Sequence, residues 1–437
     1  MLVPNSTCLD PRGDPPPGGF GLGGLLASAA KRGEGMTAPG ALSHVRVLDL
    51  SRILAGPWAT QCLADLGADV IKVERPGTGD DTRGWGPPYL EGDSGRSAYF
   101  CSVNRNKRSL ALDIADPEAA DAVRRIASRS QVVVENFKRG ALARYGLDYA
   151  GLSAENPALV YCSITGFGQD GPEADRAGYD FMIQGMAGLM SVTGEPGGMP
   201  MKVGVALSDV LTGLNAGVAI LAALNHAERT GQGQFIDMSL FDVTVASLAN
   251  QAANYLFSGA APSRLGNAHP NIVPYQVFEV ADGHLILAIG NDAQFRRFCG
   301  LAGLDALAED ARFATNDARV RHREELVPLV AEAMKGRDRS GWLAALAREG
   351  IPAGPINDVG QAFAEEHAVF RDLATSITDH EGLSVPTVRS PLGLTLTPPV
   401  LAAAPPRLGE HTREVLREVA SLDDAALDRL AGKVAPD

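Results

Sequence analysis

The feature that most restricts the fold is an alternation of short apolar strands with helical segments, beginning at Val45. The run Val45-Arg46-Val47-Leu48-Asp49-Leu50 has strand character, Ala55-Gly56-Pro57 reads as a turn, and Ala59 to Leu66 reads as a helix stopped by Gly67. Asp69 to Glu74 is a second strand and completes one βαβ unit. A second unit runs from strand Ser109 to Ile114, through a helix to about Ser128, to strand Gln131 to Glu135; Asp116 is its N-cap and Pro117 its first helical residue. Ala158 to Ile164 and Phe235 to Ser239 add further strands. Repeated alternation of this kind predicts an α/β fold, with a mainly parallel sheet covered by helices on both faces.

At 437 residues the chain exceeds what one hydrophobic core organises. Residues 1–41 lack apolar periodicity and read as a disordered N-terminal extension, with Met36 a candidate initiator. Residues 42–260 read as the first part of a large domain. Residues 265–365, with a short β-element over 275–289 and charged amphipathic helices, read as a smaller α+β domain. Residues 366–437 read as a return linker and the C-terminal part of the large domain. The apolar stretch Val205 to Leu224 resembles a membrane span in composition, but Asp209 interrupts it and Ser208, Thr212 and Asn215 join it, so it is expected as a buried helix. A helix from about Asp242 to Leu256 follows it.

A formal charge of −13 argues against nucleic acid or an anionic membrane as partner, because both demand clustered positive charge. The five cysteines are odd in number and scattered without a CxxC, which suggests neither a disulfide framework nor a thiolate zinc site and fits a reducing, cytoplasmic setting. The eight histidines show no HxxxH or HExxH, so no metal site is expected. The turn after Leu50 is neither GxGxxG nor GxxxxGK[ST], and no GxSxG elbow occurs. Positive residues do gather in the first third: Arg52, Lys72, Arg75, Arg83, Arg96, Arg105, Lys107, Arg108, Lys138, Arg139 and Arg144. As a set near strand ends they could hold phosphates, and singly each could be solvated surface.

Two aspartates stand out, Asp180 in Ala177-Gly178-Tyr179-Asp180 and Asp209 in Ala206-Leu207-Ser208-Asp209-Val210. A carboxylate among apolar neighbours is costly unless paired or hydrogen-bonded. Each could simply cap the helix that follows it, and composition alone leaves that reading open beside a chemical one.

Six segments in unbroken order resemble the family III CoA transferases (CaiB/BaiF type). They are Leu48 to Pro57, Leu66 to Glu74, Asn104 to Ser109, Val134 to Phe137, Gly166 to Pro172 and Thr230 to Gln234. Trp85 to Pro88, Ala177 to Asp180, Ala253 to Leu256 and Ile272 to Gln276 look most like the succinate–hydroxymethylglutarate branch of that family. The resemblance implies a Rossmann-like large domain, an interlocked homodimer, coenzyme A or acyl-CoA as substrate with no permanently bound cofactor, and small carboxylic acids, dicarboxylates among them, as the second substrate.

Matched position by position, the resemblance implies that Asp209 is the catalytic aspartate. It likewise implies that Arg52, Ile53, Leu54, Ala55, Arg75, Leu112, Asn136, Phe137 and Arg144 contact CoA. With an ordinary carboxylate pKa, Asp209 is expected to be ionised at neutral pH and to attack the acyl-CoA carbonyl without a base. Two features depart from the family pattern: a CoA-binding lysine is replaced by Thr165, and a mobile glycine loop corresponds only to Gly266-Asn267-Ala268-His269-Pro270. The racemase relatives carry a His where Tyr179 stands, and a phenol is a poor base at neutral pH, so racemisation of 2-methylacyl-CoA is the lesser reading. A non-catalytic CoA-binding subunit is the other.

Overall fold

The computed structural model describes residues 40–90 and 93–432. Met36 and all of the extension except Gly40 and Ala41 lie outside these. Six strands, β1 (Arg46–Asp49), β2 (Asp69–Glu74), β3 (Lys107–Ala111), β4 (Val132–Glu135), β5 (Val160–Thr165) and β6 (Phe235–Ser239), form one sheet in the order β3-β2-β1-β4-β5-β6. Every neighbouring pair is parallel. The chain therefore winds outward from β1 in one direction and from β4 in the other, which opens a crevice where the two carboxyl ends diverge.

Successive residues of a strand point to opposite faces, and both faces here are apolar. Val47, Val70, Val132, Val134 and Cys162 enter one core, while Leu48, Ile71, Leu110, Val133 and Tyr161 enter the other. That is why the strands read as nearly continuous apolar runs. Each fully buried Val, Ile or Leu contributes about 1.5–3 kcal/mol.

The first core is closed by helix α1 (Ala55–Asp65) and a long helix, Leu207–Thr230. The second is closed by α2 (Pro117–Ala127) and the C-terminal helices Thr412–Glu418 and Asp424–Gly432. The expected turn at Ala55-Gly56-Pro57 is instead the first turn of α1. Proline is tolerated there because the donor it lacks would have no intrahelical partner.

Beyond β5 come α3 (Asp180–Met186) and the long helix, here α4 (Leu207–Thr230), which ends at Gly231 with φ of 73°. In length and composition α4 could cross a membrane. Its residues Ala216, Ile220, Ala223 and Leu224 are buried against the sheet, which accounts for that composition. Gly213 permits the close crossing with α1, since a Cβ there would lie 2.6 Å from the Ala55 carbonyl oxygen. The single helix expected from Asp242 to Leu256 is two, α5 (Leu240–Ala246) and α6 (Asn250–Ser258), broken at Ala249, whose φ is 48°.

A three-stranded antiparallel sheet follows, β7 (Tyr275–Val280), β8 (Gly283–Ala288) and β9 (Ala353–Gly354). It has its own core of Phe278, Phe295, Phe298, Phe313, Leu326 and Trp342. After the hairpin β10 (Ala374–Thr378) and β11 (Ser384–Val388), the chain returns to the edge of the large sheet. There the His411 N–H donates to the Ser109 carbonyl at 3.0 Å and the Ala111 N–H to Thr412 Oγ1 at 3.0 Å.

Candidate functional site

A cavity of about 790 Å³ opens at the crevice, lined by the segments that leave the carboxyl ends of β1, β2, β3 and β4. Arg52, Ile53, Leu54 and Ala55 follow β1, Arg75 follows β2, Leu112 follows β3, and Asn136 and Phe137 follow β4. Arg144 completes that wall, and Asp209 enters from the first turn of α4. All ten residues singled out in the sequence line this one cavity. Thr165, at the end of β5, lines it too, while its hydroxyl accepts the Gly168 N–H at 2.9 Å. The segment Gly266 to Pro270 does not; the Gly266 N–H instead donates to the Gly194 carbonyl at 3.1 Å.

The lining residues are not equivalent. The Asn136 amide is spent on the main chain of Arg52: Oδ1 accepts its N–H at 2.9 Å and Nδ2 donates to its carbonyl at 2.7 Å. The Arg52 guanidinium pairs with Asp81 at 2.9 Å and lies 5.9 Å from the centre of the Phe137 ring. Arg75, Lys138 and Arg144 have no carboxylate partner among the described residues, so their charge is available to an anion at the cavity.

Arg139 also borders the cavity and pairs with the exposed Asp175 at 3.5 Å, whereas five other cations of the first third serve the fold. Arg83 pairs with Glu74 at 2.7 Å, Arg105 with Asp65 at 2.5 Å, Lys107 with Asp49 at 3.0 Å and Lys72 with Asp80 at 2.9 Å, all buried, and Arg108 pairs with Asp69 at 2.7 Å. Lys72 and Asp80 do both jobs, since each also borders the cavity.

Asp209 is half-buried, and no hydrogen bond reaches its carboxylate among the described residues. Burial pushes its pKa up to about 7, with help from the negative charge of Asp180. This corrects the expectation of an ordinary carboxylate: near pH 7 Asp209 is divided between its acid and its base. Nor does it cap its own helix. Asp180 does so from α3, its Oδ1 accepting the N–H groups of Ser208 at 2.8 Å and Asp209 at 3.3 Å, and its Oδ2 the amide of the buried Gln184 at 2.8 Å. Thus Asp180 caps a helix, but not the one that follows it. It holds the donors, and Asp209 is left without them.

Tyr99, on the short helix Ala98–Ser102, also belongs to this corner. Its phenol is pushed up to about 12, first by burial and then by the carboxylates of Asp209, Asp180 and Asp80. Trp85 stacks edge-on against it at 5.1 Å. No motif around Tyr99 signals this placement; only the tertiary arrangement shows it. Among the described residues no group of His, Cys, Asp and Glu is placed to hold a metal ion.

Three comparisons bear on this geometry. The sequence profile described as CoA-transferase family III matches residues 42–412. A succinate–glutarate CoA-transferase of Agrobacterium fabrum is 52% identical over 388 residues, which cover 88% of this chain and 97% of that protein. A succinyl-CoA:glutarate CoA-transferase of Mus musculus is 44% identical over 390 residues, covering 89% and 88%. Among solved structures, a CAIB/BAIF family protein from Brucella suis matches with a TM-score of 0.77 and 50% identity, over 87% of this chain and all of that one.

Proposed function

The chain belongs to CoA-transferase family III, and from that premise we propose that it carries CoA from succinyl-CoA to a second dicarboxylic acid, glutarate foremost, through a covalent intermediate on Asp209. One observation carries the reading: Asp209 lines the same cavity as Arg75, Arg144 and the loop 52–55. Three relatives are named for succinate and glutarate or, in Haloarcula hispanica, for succinyl-CoA and mesaconate, acids that are all dicarboxylic.

The ionised Asp209 carboxylate attacks the acyl carbonyl, and the C–S bond breaks to give an aspartyl mixed anhydride and the CoA thiolate. The thiolate attacks the aspartyl carbonyl, releases the donor as its free carboxylate and leaves an aspartyl-CoA thioester. The acceptor carboxylate repeats the exchange in reverse, forming an anhydride and expelling the thiolate. The thiolate takes the acceptor's acyl group and restores Asp209. Thioester is exchanged for thioester, so no net energy source enters. A carboxylate with pKa near 7 is a stronger nucleophile than an ordinary one, and the fraction able to attack grows as pH rises through 7.

The residues that bind CoA are proposed on the same footing: Arg75 and Arg144 for phosphate, Leu112 and Phe137 for apolar contact, Arg52, Ile53, Leu54 and Ala55 as the wall, with Asn136 acting through Arg52. A homodimer in the cytoplasm completes the proposal. Its support is the apolar surface left uncovered on one chain: Leu214 and Val218 of α4, and Leu256 and Phe257 of α6, 77% and 95% exposed. The division into 42–260, 265–365 and 366–437 is proposed with it, supported by the separate core around Phe298.

The test is incubation with succinyl-CoA and glutarate, following glutaryl-CoA by mass spectrometry and trapping the Asp209 adduct with hydroxylamine. Normal turnover by Asp209→Ala would remove the covalent scheme.

A further inference from the structure

The loop between β1 and α1 contains a backbone conformation that its sequence disfavours. Ile53 has φ of 74°, in the left-handed region. For a β-branched side chain this is a true outlier, because Cβ crowds the following carbonyl. Such strain persists only where the surroundings over-determine it.

Here they do, and the constraint comes from side chains. Asp49 Oδ1 accepts the Ser51 N–H at 2.9 Å, and Lys72 Nζ donates to the Ser51 carbonyl at 2.8 Å. Asn136 holds both main-chain polar atoms of Arg52. The Asp80 carboxylate accepts the Ile53 N–H, its two oxygens lying 3.3 and 3.2 Å away. Five consecutive main-chain groups are thus bonded to four side chains borne by β1, β2 and the segments after β2 and β4. Two of those side chains, Lys72 and Asp80, are themselves paired at 2.9 Å with no solvent exposure.

We infer that the buried Lys72–Asp80 pair is a positioning device for coenzyme A: it holds Ile53 in its left-handed conformation and so keeps residues 52–55 in the shape that lines the cavity. The inference rests on reading the cavity as the CoA site. Neither residue needs to touch the ligand's reacting atoms. A plainer role exists for Asp80, which also caps the turn Asp81–Gly84 by accepting from the Thr82 N–H at 3.0 Å and its hydroxyl at 2.8 Å. That role requires neither Lys72 nor Ile53, which is what makes the two separable.

Two variants test it. Asp80→Asn removes the charge while keeping an acceptor. Lys72→Met with Asp80→Asn removes both charges together, so that no buried charge is orphaned, and leaves an acceptor for the Thr82 N–H. Binding of free CoA is read by calorimetry, which does not depend on Asp209 chemistry. The expected result is a Kd raised roughly tenfold or more in both, because the binding-competent loop becomes a minority state. Adding Ile53→Gly to the pair variant recovers part of that loss relative to Ile53→Gly alone, since glycine adopts positive φ without penalty.

An unchanged Kd in the folded pair variant overturns the inference. So does hydrogen exchange of the unmodified protein without CoA, should the Ile53 amide exchange as fast as the exposed turn at Gly77 instead of as slowly as β1. Should Arg75→Ala and Arg144→Ala both leave CoA affinity unchanged, the cavity reading itself falls, a different result from the loop variants alone being silent.

Discussion

Two regions that flank the cavity bury acidic groups and treat them in opposite ways. Beneath its floor, at β1, β2 and the turn after β2, every buried carboxylate has a cation or several donors. Asp49 meets Lys107 at 3.0 Å, with Ser51 and Thr60 donating, and although burial opposes it, Lys107 and Lys72 hold it down to about 2. Glu74 and Asp80 are likewise lowered against the pull of burial, by Arg83 and Lys72 respectively. On the opposite wall Asp209 has no cation paired with it among the described residues, a like charge for a neighbour, and a pKa of about 7. Burial raises a carboxyl's pKa in both regions; partners decide the final sign. The floor is built to stay charged and rigid, whereas the wall leaves one carboxylate that titrates near neutrality. Glu135 shows the same rule: buried without a cation paired with it among the described residues, it also reaches about 7, even while accepting the Phe137 N–H at 2.7 Å.

The contrast can be broken most severely on the wall. Asp209→Asn should lower turnover by roughly three orders of magnitude or more, since the proposed scheme loses its nucleophile, while CoA affinity by calorimetry stays within about threefold. On the floor, Lys107→Met should cost about 3 kcal/mol in denaturant unfolding, because buried Asp49 loses its ion-pair partner and keeps only the charge of Lys72 and the Ser51 and Thr60 hydroxyls. The acid dependence follows from the same pair. Asp49 has its folded pKa depressed, so its contribution is complete above about pH 4 and lost as pH falls towards 2.

The wall runs the other way. Asp209 has its folded pKa raised, so the folded state holds a proton that the unfolded state has already released between about pH 4 and 7, and stability declines across that window. Asp209→Asn should therefore stabilise by on the order of 2 kcal/mol at pH 8 and by almost nothing at pH 4, measured by urea unfolding at the two values. The smallest effect sharpens the contrast instead of breaking it. Asp180→Asn keeps acceptors for the Ser208 and Asp209 N–H groups but removes the like charge, so the acid limb of kcat should move down from near 7 by about one pH unit. An unmoved limb would mean that burial alone sets the pKa of Asp209.

Much of the fold was legible because strands and helices announce themselves by local periodicity. The βαβ units over 45–74 and 109–135, and the apolar helix expected within Val205 to Leu224, follow from residues a few positions apart. The misread places were those where tertiary contacts override local signals. Pro57 looked like a turn but sits where a helix tolerates proline, and Ala249 breaks a helix that periodicity carried straight through. The ten residues named from the resemblance line one cavity, and their roles there are those proposed above.

Local patterns along the chain thus establish the succession of strands and helices, and the family resemblance names residues that meet at the crevice. The sequence did not separate the cations into those that carry the floor and those left for a ligand, because Arg83 reaches the Pro406 carbonyl 323 positions away and Lys107 finds Asp49 across 58. Nor did it reveal that Asp180 takes the helix-end donors from Asp209, or that Tyr99 joins them. Charge state depends on burial and on distances of a few ångströms, and those exist only after distant segments have packed.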